Sequence, residues 1–458
     1  MENQVLREFL DRNYKKRLNI HCLGDAMIDE YFEVKINRIS PEYPVPVMLS
    51  TGKTIQKPGG VANVAYQFKN LNVDSSLIFV GSIQNAEFFT KNGLNVGCWA
   101  GGSIPIKRRY VENNIQVAPR LDIENKFYGY KNEDSLNQEV KKLLNKMRDY
   151  EKPDVVVFSD YDKGFFNNKE NPFKEFYSGV KNIVDPKNGP LEKWKGCDIF
   201  KPNSKEALEL TGKENWKDQS SFLQNKLKCR SVVITQGGEG VVGIHDGEFF
   251  EFKNENKVAV ESVVGAGDCF VAFLAASIGH GFDVLDAVEI AFKAGASYVQ
   301  NRMNRPIVLA ELFENKIVKP EDLNKRDFKL VFTNGCFDIL HKGHLETLKF
   351  AKEKGEKLVV ALNTDKSIKK FKDKNRPIVP LEHRMAVMAS LKFVDFVVSF
   401  DEQTPLEIIM KIKPDVLVKG ADYAFDDIVG ADIVTEVHQS PIISDFSTSK
   451  IISDYLSR

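Results

Sequence analysis

The stretch Glu261–Phe273, ESVVGAGDCFVAF, decides how the first two thirds of this chain are read. An apolar run ends, a Gly-Ala-Gly turn follows, and a helical pattern begins at once. Such a junction aims free backbone N–H groups and the positive end of a helix dipole at one point, which suits an anion. Asp268 falls in the first turn of that helix. There a carboxylate can take a proton from a hydroxyl while the amides of Gly265, Ala266 and Gly267 stabilise a migrating phosphoryl group. The same residues also fit a plain tight turn with an acid favouring a helix start.

Working outward, short β-branched runs alternate with longer segments of helical period. LNIHCLG, SSLIFVG, PDVVVFSD, VKNIVD and SVVITQG read as strands, and 60–71, 204–210, 266–278 and 284–299 as helices. This rhythm predicts βαβ units around a mainly parallel sheet. It breaks in the charged, weakly periodic stretch from Glu311 to Lys329, which contains Pro320. The predicted division is a domain over 1–318, a linker over 319–327 and a second domain over 328–458. In the second, KLVFTNG, KLVVALN, FVDFVVSF and DVLVKG are strands, with helices at 343–354, 381–391, 406–411 and 447–456. That is a small doubly wound domain.

Composition bounds the function. The chain has 458 residues, is 42% hydrophobic and 28% charged, and carries equal numbers of acids and bases. A formal net charge of zero removes the electrostatic footprint of a nucleic-acid binder. The six cysteines are scattered without a C-x-x-C pair, so a reducing cytoplasm fits better than a disulfide framework. The N-terminus has no secretory pattern, and no apolar run of about 20 residues marks a membrane span.

Other stretches bear on the anion-binding turn. KPGGVANVA puts Gly60 at a helix start with Asn63 one turn in, and CLGDAMIDEYF puts Asp25 and Asp29 just past an early strand. Strand ends are where open α/β sheets bind ligands. FKPNSKEALEL gives Asn203 and Glu206, which also read as a capping box. VITQGGEGVVG adds Thr235 and Gly237. Together these residues resemble the ribokinase-like (phosphofructokinase-B) sugar kinases over nearly all of 18–310. The resemblance implies that Gly265, Ala266, Gly267 and Asp268 are the anion hole and base. It implies that Gly60, Asn63 and Asp29 hold sugar hydroxyls, that Asn203 and Glu206 organise Mg²⁺, and that Thr235 and Gly237 border ATP. Arg38, Arg109, Lys163 and Lys187 are candidate clamps for a phosphate on the sugar. The stretch departs from the family at Ser262, Val263 and Val264, where an Asp and a Thr normally shape a monovalent-cation site.

In the second domain, TNGCFDILHKGH places His341 and His344 at the start of a helix beginning near Gly343. Three readings stand: a metal site with Cys336 and Asp338, two core or cap histidines, or phosphate handling by imidazoles at a helix N-terminus. DFSTSKIISDYL sets Ser447, Thr448 and Ser449 at another helix start, which also fits a simple N-cap. The two motifs together resemble the nucleotidylyltransferase (cytidylyltransferase-like) superfamily. That resemblance implies phosphate contacts from His341, His344, Gly343, Ser447, Thr448 and Ser449. Taken with the stretches NRPIVPLEHRMAVMASLKFVDFVVSFDEQTP and PDVLVKGADY, the resemblance further implies that Lys342 or nearby bases, Arg376 and Lys419 contact phosphates or the sugar phosphate and that Phe337 and Asp338 line the same pocket.

NRISPEYPVPV, FSDYDKG and VDPKNG in the first half, and NRPIVPLEHRMAVMASLKFVDFVVSFDEQTP and PDVLVKGADY in the second, narrow the resemblance. They are similar to the family of bifunctional heptose-7-phosphate kinase/heptose-1-phosphate adenylyltransferases. The implied fold is a ribokinase-like α/β domain with a small β lid, followed by a Rossmann-like doubly wound nucleotidyltransferase domain. The implied cofactors are ATP and Mg²⁺, the partners are sugar phosphates, and the assembly is a homodimer through a lid near EYPVPVMLSTGKTI. Another sugar phosphate, CTP in place of ATP, or a kinase half reduced to a sugar-phosphate sensor or dimerisation platform are the competing readings.

Overall fold

The structure, a computed structural model, describes residues 2–113, 115–124, 126–147, 151–166, 177–187, 189–254, 263–300, 305–312, 316–323, 326–372, 376–420 and 428–441. The chain forms two compact units, Met1–Ile307 and Val308–Arg458.

The first unit is built on a sheet of nine described strands in the order β14-β13-β12-β11-β10-β9-β1-β4-β5. These are β1 Leu18–Gly24, β4 Val73–Val80, β5 Asn95–Ala100, β9 Val155–Ser159, β10 Lys181–Asp185, β11 Ile199–Phe200, β12 Ser231–Thr235, β13 Gly240–His245 and β14 Glu248–Lys253. All neighbours from β5 to β12 pair in parallel, and only β12–β13 and β13–β14 are antiparallel. The parallel core follows from strands that are apolar on both faces: β9, VVVFS, is buried throughout. The helix Ala266–Gly279 is likewise apolar all round and buried continuously from Asp268 to Ser277, so it lies in the core rather than on the surface.

A second sheet forms a lid. Its strands are β2 Ala26–Ile39, β3 Pro46–Gly60, β6 Ile106–Glu112, β7 Ile115–Gln116 and β8 Leu121–Ile123. The first half of β2 is buried and its second half is mostly exposed. The lid segment expected near EYPVPVMLSTGKTI is thus one arm of a hairpin that starts at Ala26 and returns to Gly60.

The second unit is a sheet ordered β17-β16-β15-β18-β19, parallel throughout, with β15 Leu330–Gly335, β16 Lys357–Asn363, β17 Phe396–Phe400, β18 Val416–Gly420 and β19 Glu436–Ser440. Val331, Leu348, Val360, Val397 and Val418 form its core. Full burial of each such side chain contributes about 1.5–3 kcal/mol. The strand β19 carries Glu, His and Gln and no apolar alternation, which is why its sequence does not announce it.

The boundary between units falls at Ile307/Val308, earlier than the 319–327 stretch. The reason is pairing. Lys316 accepts from the Val397 amide at 2.8 Å and Val318 donates to the Val397 carbonyl at 3.0 Å, extending the second sheet beyond β17. Nor are the described residues of 319–327 a loose tether, because Asp322 and Leu323 are buried and Arg326 donates to the Ile412 carbonyl at 3.0 Å.

Candidate functional sites

In the first unit, Gly265 adopts φ 83° at the N-cap of the Ala266–Gly279 helix, which leaves the amides of the turn free of a side-chain cap. A left-handed residue here favours glycine. The strand expected before the turn, with Ser262, lies outside the described residues. Asp268 is 6% exposed. Its Oδ1 accepts from the Tyr161 hydroxyl at 2.6 Å and its Oδ2 from the Asn63 amide at 2.6 Å. Burial drives its pKa up to about 7; the Tyr161 and Asn63 hydrogen bonds oppose the rise, and the charges of Asp185 and Asp29 add to it.

Asn63 comes from the helix Val61–Gln67, whose N-cap is Gly60 at φ 59°. Its Oδ1 accepts from Gln67 Nε2 at 3.0 Å, which turns its Nδ2 toward Asp268. Asp29, near the root of the lid, accepts from Arg109 at 2.5 Å, and both partners are buried. Arg109 is therefore committed to Asp29. Asp25 is buried deeper and serves the chain itself: it accepts from the amides of Tyr161, Lys163 and Phe165 and from the Tyr128 hydroxyl. This clamp replaces the expected ligand contact at Asp25, since both its oxygens are already engaged.

The expected phosphate clamps are not gathered together. Arg38 is exposed near the tip of β2, nine residues beyond Asp29, a span of roughly 30 Å along an extended strand. Lys163 pairs with Glu124 at 2.8 Å and Lys187 with Glu206 at 2.8 Å. Two other cations do face the Asp268 region. Lys107 on β6 lies over the Tyr161 ring at 5.1 Å, and burial lowers its pKa, with Asp29 and Asp268 acting against that. Lys201 pairs with Asp185 at 2.7 Å, and its Nζ lies 3.9 Å from where a Cβ on Gly267 would stand. Tyr161 and Lys201 lie inside the quoted stretches FSDYDKG and FKPNSKEALEL, and Lys107 opens the basic run KRR at 107–109, but local sequence singles out none of the three as a partner of Asp268.

Asn203 and Glu206 form a complete capping box, with Glu206 N to Asn203 Oδ1 at 2.9 Å and Asn203 N to Glu206 Oε2 at 2.9 Å. Asn203 bridges Thr235 at the end of β12, and Gly237 turns away from it at φ 60°. These residues therefore meet at one strand edge.

In the second unit, His341 is the N-cap of the helix Lys342–Lys352 and makes no side-chain cap bond. The helix thus begins one residue before Gly343. The rings of His341 and His344 stack at 3.7 Å with 21° between planes, and Phe337, at φ 46°, meets His344 edge-on at 5.0 Å. Nδ1 of each histidine is buried without a hydrogen-bond partner among the described residues. Burial lowers the pKa of His344 to about 4, helped by His341, and that of His341 falls for the first reason. Two neutral rings with orphaned polar atoms at a helix N-terminus are suited to receive an anion.

Asp338 accepts from Arg376 Nε at 2.5 Å and from the amides of Ile378 and Val379 at 2.8 Å each, so it organises the 376–379 segment. Arg384, which the sequence reading passed over, is 1% exposed. It donates to the carbonyls of Val379 (2.9 Å), Cys336 (2.7 Å) and Asn363 (3.0 Å) and to Asp365 (2.6 Å). It ties the ends of β15 and β16 to that segment. Lys419 is buried at the end of β18. Ser447, Thr448 and Ser449 lie outside the described residues.

Comparison with known proteins agrees with this division. Residues 125–306 match the pfkB family of carbohydrate kinases, and residues 332–453 match the cytidylyltransferase-like family. The first unit's fold is similar to phosphofructokinase-2 from Escherichia coli in complex with potassium, at TM-score 0.53 and 18% identity over 65% of this chain and 96% of that one. The bifunctional protein HldE of Campylobacter jejuni subsp. doylei is 37% identical over 97% of this chain and 98% of its own. That of Marinomonas sp. is 35% identical over 96% and 98%. With both halves matched in one chain and in one order, this protein belongs to the HldE family of bifunctional proteins, a sugar kinase joined to a nucleotidyltransferase.

Proposed function

We propose that the chain is a bifunctional enzyme of ADP-heptose synthesis. The first unit phosphorylates D-glycero-D-manno-heptose 7-phosphate at C1, and the second transfers AMP from ATP to heptose 1-phosphate, releasing pyrophosphate. The observation that carries this reading is the end-to-end likeness to HldE proteins in a chain with two separate anion-ready helix N-termini. A phosphatase acts between the two steps, because the kinase product still holds its 7-phosphate.

In the kinase step, Asp268 takes the proton of the C1 hydroxyl as that oxygen attacks the γ-phosphorus. The amides of Gly265, Ala266 and Gly267 receive the charge that grows on the transferred group. Asp29, Gly60 and Asn63 orient the sugar, and Lys107 suits its anionic end better than the paired Arg109 or the distant Arg38. Thr235 and Gly237 border ATP. Glu206, Asn203 and nearby Asp185 supply only oxygen donors from their side-chain acids and amide, the type Mg²⁺ takes. When bound, the ion would neutralise phosphate charge; Lys187 pairs with Glu206 and Lys201 with Asp185 beside that place. In the second unit, a sugar 1-phosphate oxygen attacks the α-phosphorus of ATP in line. His341, His344, Lys342, Gly343, Arg376, Lys419 and the Ser447–Ser449 motif hold the phosphates, with Phe337 and Asp338 shaping the pocket; no covalent intermediate is needed.

The lid exposes Ile39, Val45, Met48, Leu49, Ile115 and Leu121, which supports a homodimer through this sheet, testable by sedimentation equilibrium. Among the described residues no helix is long and apolar enough to cross a membrane, and the described cysteines are free thiols, which supports a cytoplasmic site.

The test is direct. Purified protein with ATP, Mg²⁺ and heptose 7-phosphate makes the 1,7-bisphosphate, and with heptose 1-phosphate makes ADP-heptose. Absence of bisphosphate from the wild type refutes the kinase assignment. A panel of sugar phosphates with ATP and CTP decides between this substrate pair and its neighbours.

A further inference from the structure

Tyr161 stands between two buried acids. Its amide donates to Asp25 Oδ2 at 2.8 Å, and its hydroxyl donates to Asp268 Oδ1 at 2.6 Å. The loop that carries it is held from both sides. Asp25 takes the amides of Lys163 and Phe165 as well, at 3.1 Å each. Asp160 takes the Asp162 amide at 2.9 Å and the buried Lys193 ammonium at 2.6 Å. The phenol therefore has little freedom of its own.

We propose that Tyr161 is a positioning residue for phosphoryl transfer: its phenol, fixed by the loop that Asp25 clamps, orients the Asp268 carboxylate and donates to its ionised form. The inference rests on the reading of Asp268 as the base. An ionised carboxylate has about four acceptor directions. Tyr161 takes one on Oδ1 and Asn63 one on Oδ2, which stops rotation of the group and leaves a lone pair open for the sugar hydroxyl. The need for such donors is electrostatic. Asp29 on β2 and Asp185 on β10 face Asp268 with like charge, while Lys107 on β6 and Lys201 after β11 face it with opposite charge. Tyr298 approaches from the Val284–Tyr298 helix. In a site this buried, removing a donor to the ionised form favours protonation.

The substitution Tyr161→Phe keeps the ring under Lys107 and removes only the hydroxyl. Two readouts on the full chain decide the matter. First, the carboxyl band of Asp268 is titrated by infrared spectroscopy, identified by its loss in Asp268→Asn. Its midpoint rises by roughly one pH unit in Tyr161→Phe. Second, the acid limb of kinase kcat/KM moves up by the same amount, with kcat reduced about fivefold at pH 7, KM for the sugar nearly unchanged, and recovery at high pH. A midpoint and acid limb that coincide with wild type overturn the inference, since a packing role for the ring predicts that result. A shifted infrared midpoint in Tyr161→Phe, together with a wild type that phosphorylates no heptose, overturns the proposed kinase function and leaves the Tyr161–Asp268 coupling standing.

Discussion

Asn63 donates to Asp268 at 2.6 Å across 205 positions of sequence, joining the helix behind the lid hairpin to the helix that begins at the Gly-Ala-Gly turn. Each oxygen of Asp268 thereby has a donor from a different crossover of the sheet. The carboxylate is oriented by residues from two stretches far from its own Gly-Ala-Gly-Asp turn.

The pH dependence of the kinase follows from this burial. Asp268 must be ionised to act as a base, and its pKa stands at about 7 in the folded protein against 3.8 unperturbed. Kinase kcat/KM rises with pH through about 7, and a limb near 4 contradicts the site as described. Stability runs the opposite way. Between those two values the unfolded chain has already lost the proton that the folded chain keeps, so the first unit loses stability as pH rises from about 4 to about 7. Asp268→Asn removes that decline, measured by thermal melts across pH, and lowers kinase activity by about 10²–10⁴-fold while leaving adenylyl transfer intact.

Gly60→Ala tests the junction of lid and helix. Gly60 sits at φ 59°, and an added Cβ meets the Asp25 carbonyl oxygen at 2.2 Å and Met27 Cε at 3.0 Å. The first contact is with backbone and cannot be relieved by a rotamer change. The substitution costs the first unit about 2 kcal/mol or more, seen by calorimetry as a lower first transition, and kinase activity falls with the displaced Asn63.

Arg384→Met tests the clamp in the second unit. The substitution leaves the buried Asn363 carbonyl and the half-buried Val379 and Cys336 carbonyls without their donor and returns the half-exposed Asp365 to solvent, at a cost of about 1–3 kcal/mol. Denaturation of the second unit shifts accordingly, and adenylyl transfer is lost while the kinase persists. Arg384→Lys does not restore it, because one ammonium cannot span four acceptors on separate segments.

His344 is neutral in the free protein at pH 7, with its pKa lowered from 6.5 to about 4. The unfolded chain binds a proton between those values that the folded chain does not, so this residue's contribution to stability is lost as pH falls from about 6.5 to about 4. A triphosphate against the ring reverses the preference and raises the pKa. Nucleotide binding near pH 6 is accompanied by proton uptake, measured by calorimetry in buffers of different ionisation enthalpy. His344→Ala abolishes the uptake and slows adenylyl transfer by about 10²–10³-fold; unchanged ADP-heptose synthesis refutes the assignment.

By itself the sequence determined the elements: β-branched runs that became parallel strands, the Gly-Ala-Gly turn at Gly265, the His341–His344 pair, and the capping box at Asn203–Glu206. Each depends on residues within a few positions of one another, where backbone propensity and periodicity act. The tertiary structure alone decided who faces whom. It turned Asp25 into a loop clamp, carried Arg38 out along the lid, committed Arg109 to Asp29, and brought Tyr161 and Lys107 to Asp268. It also assigned 316–318 to the second sheet and buried Arg384 among four acceptors. Those relations depend on strand order and on which crossover lies over which strand end. Long-range packing sets both, and neither leaves a period in the chain.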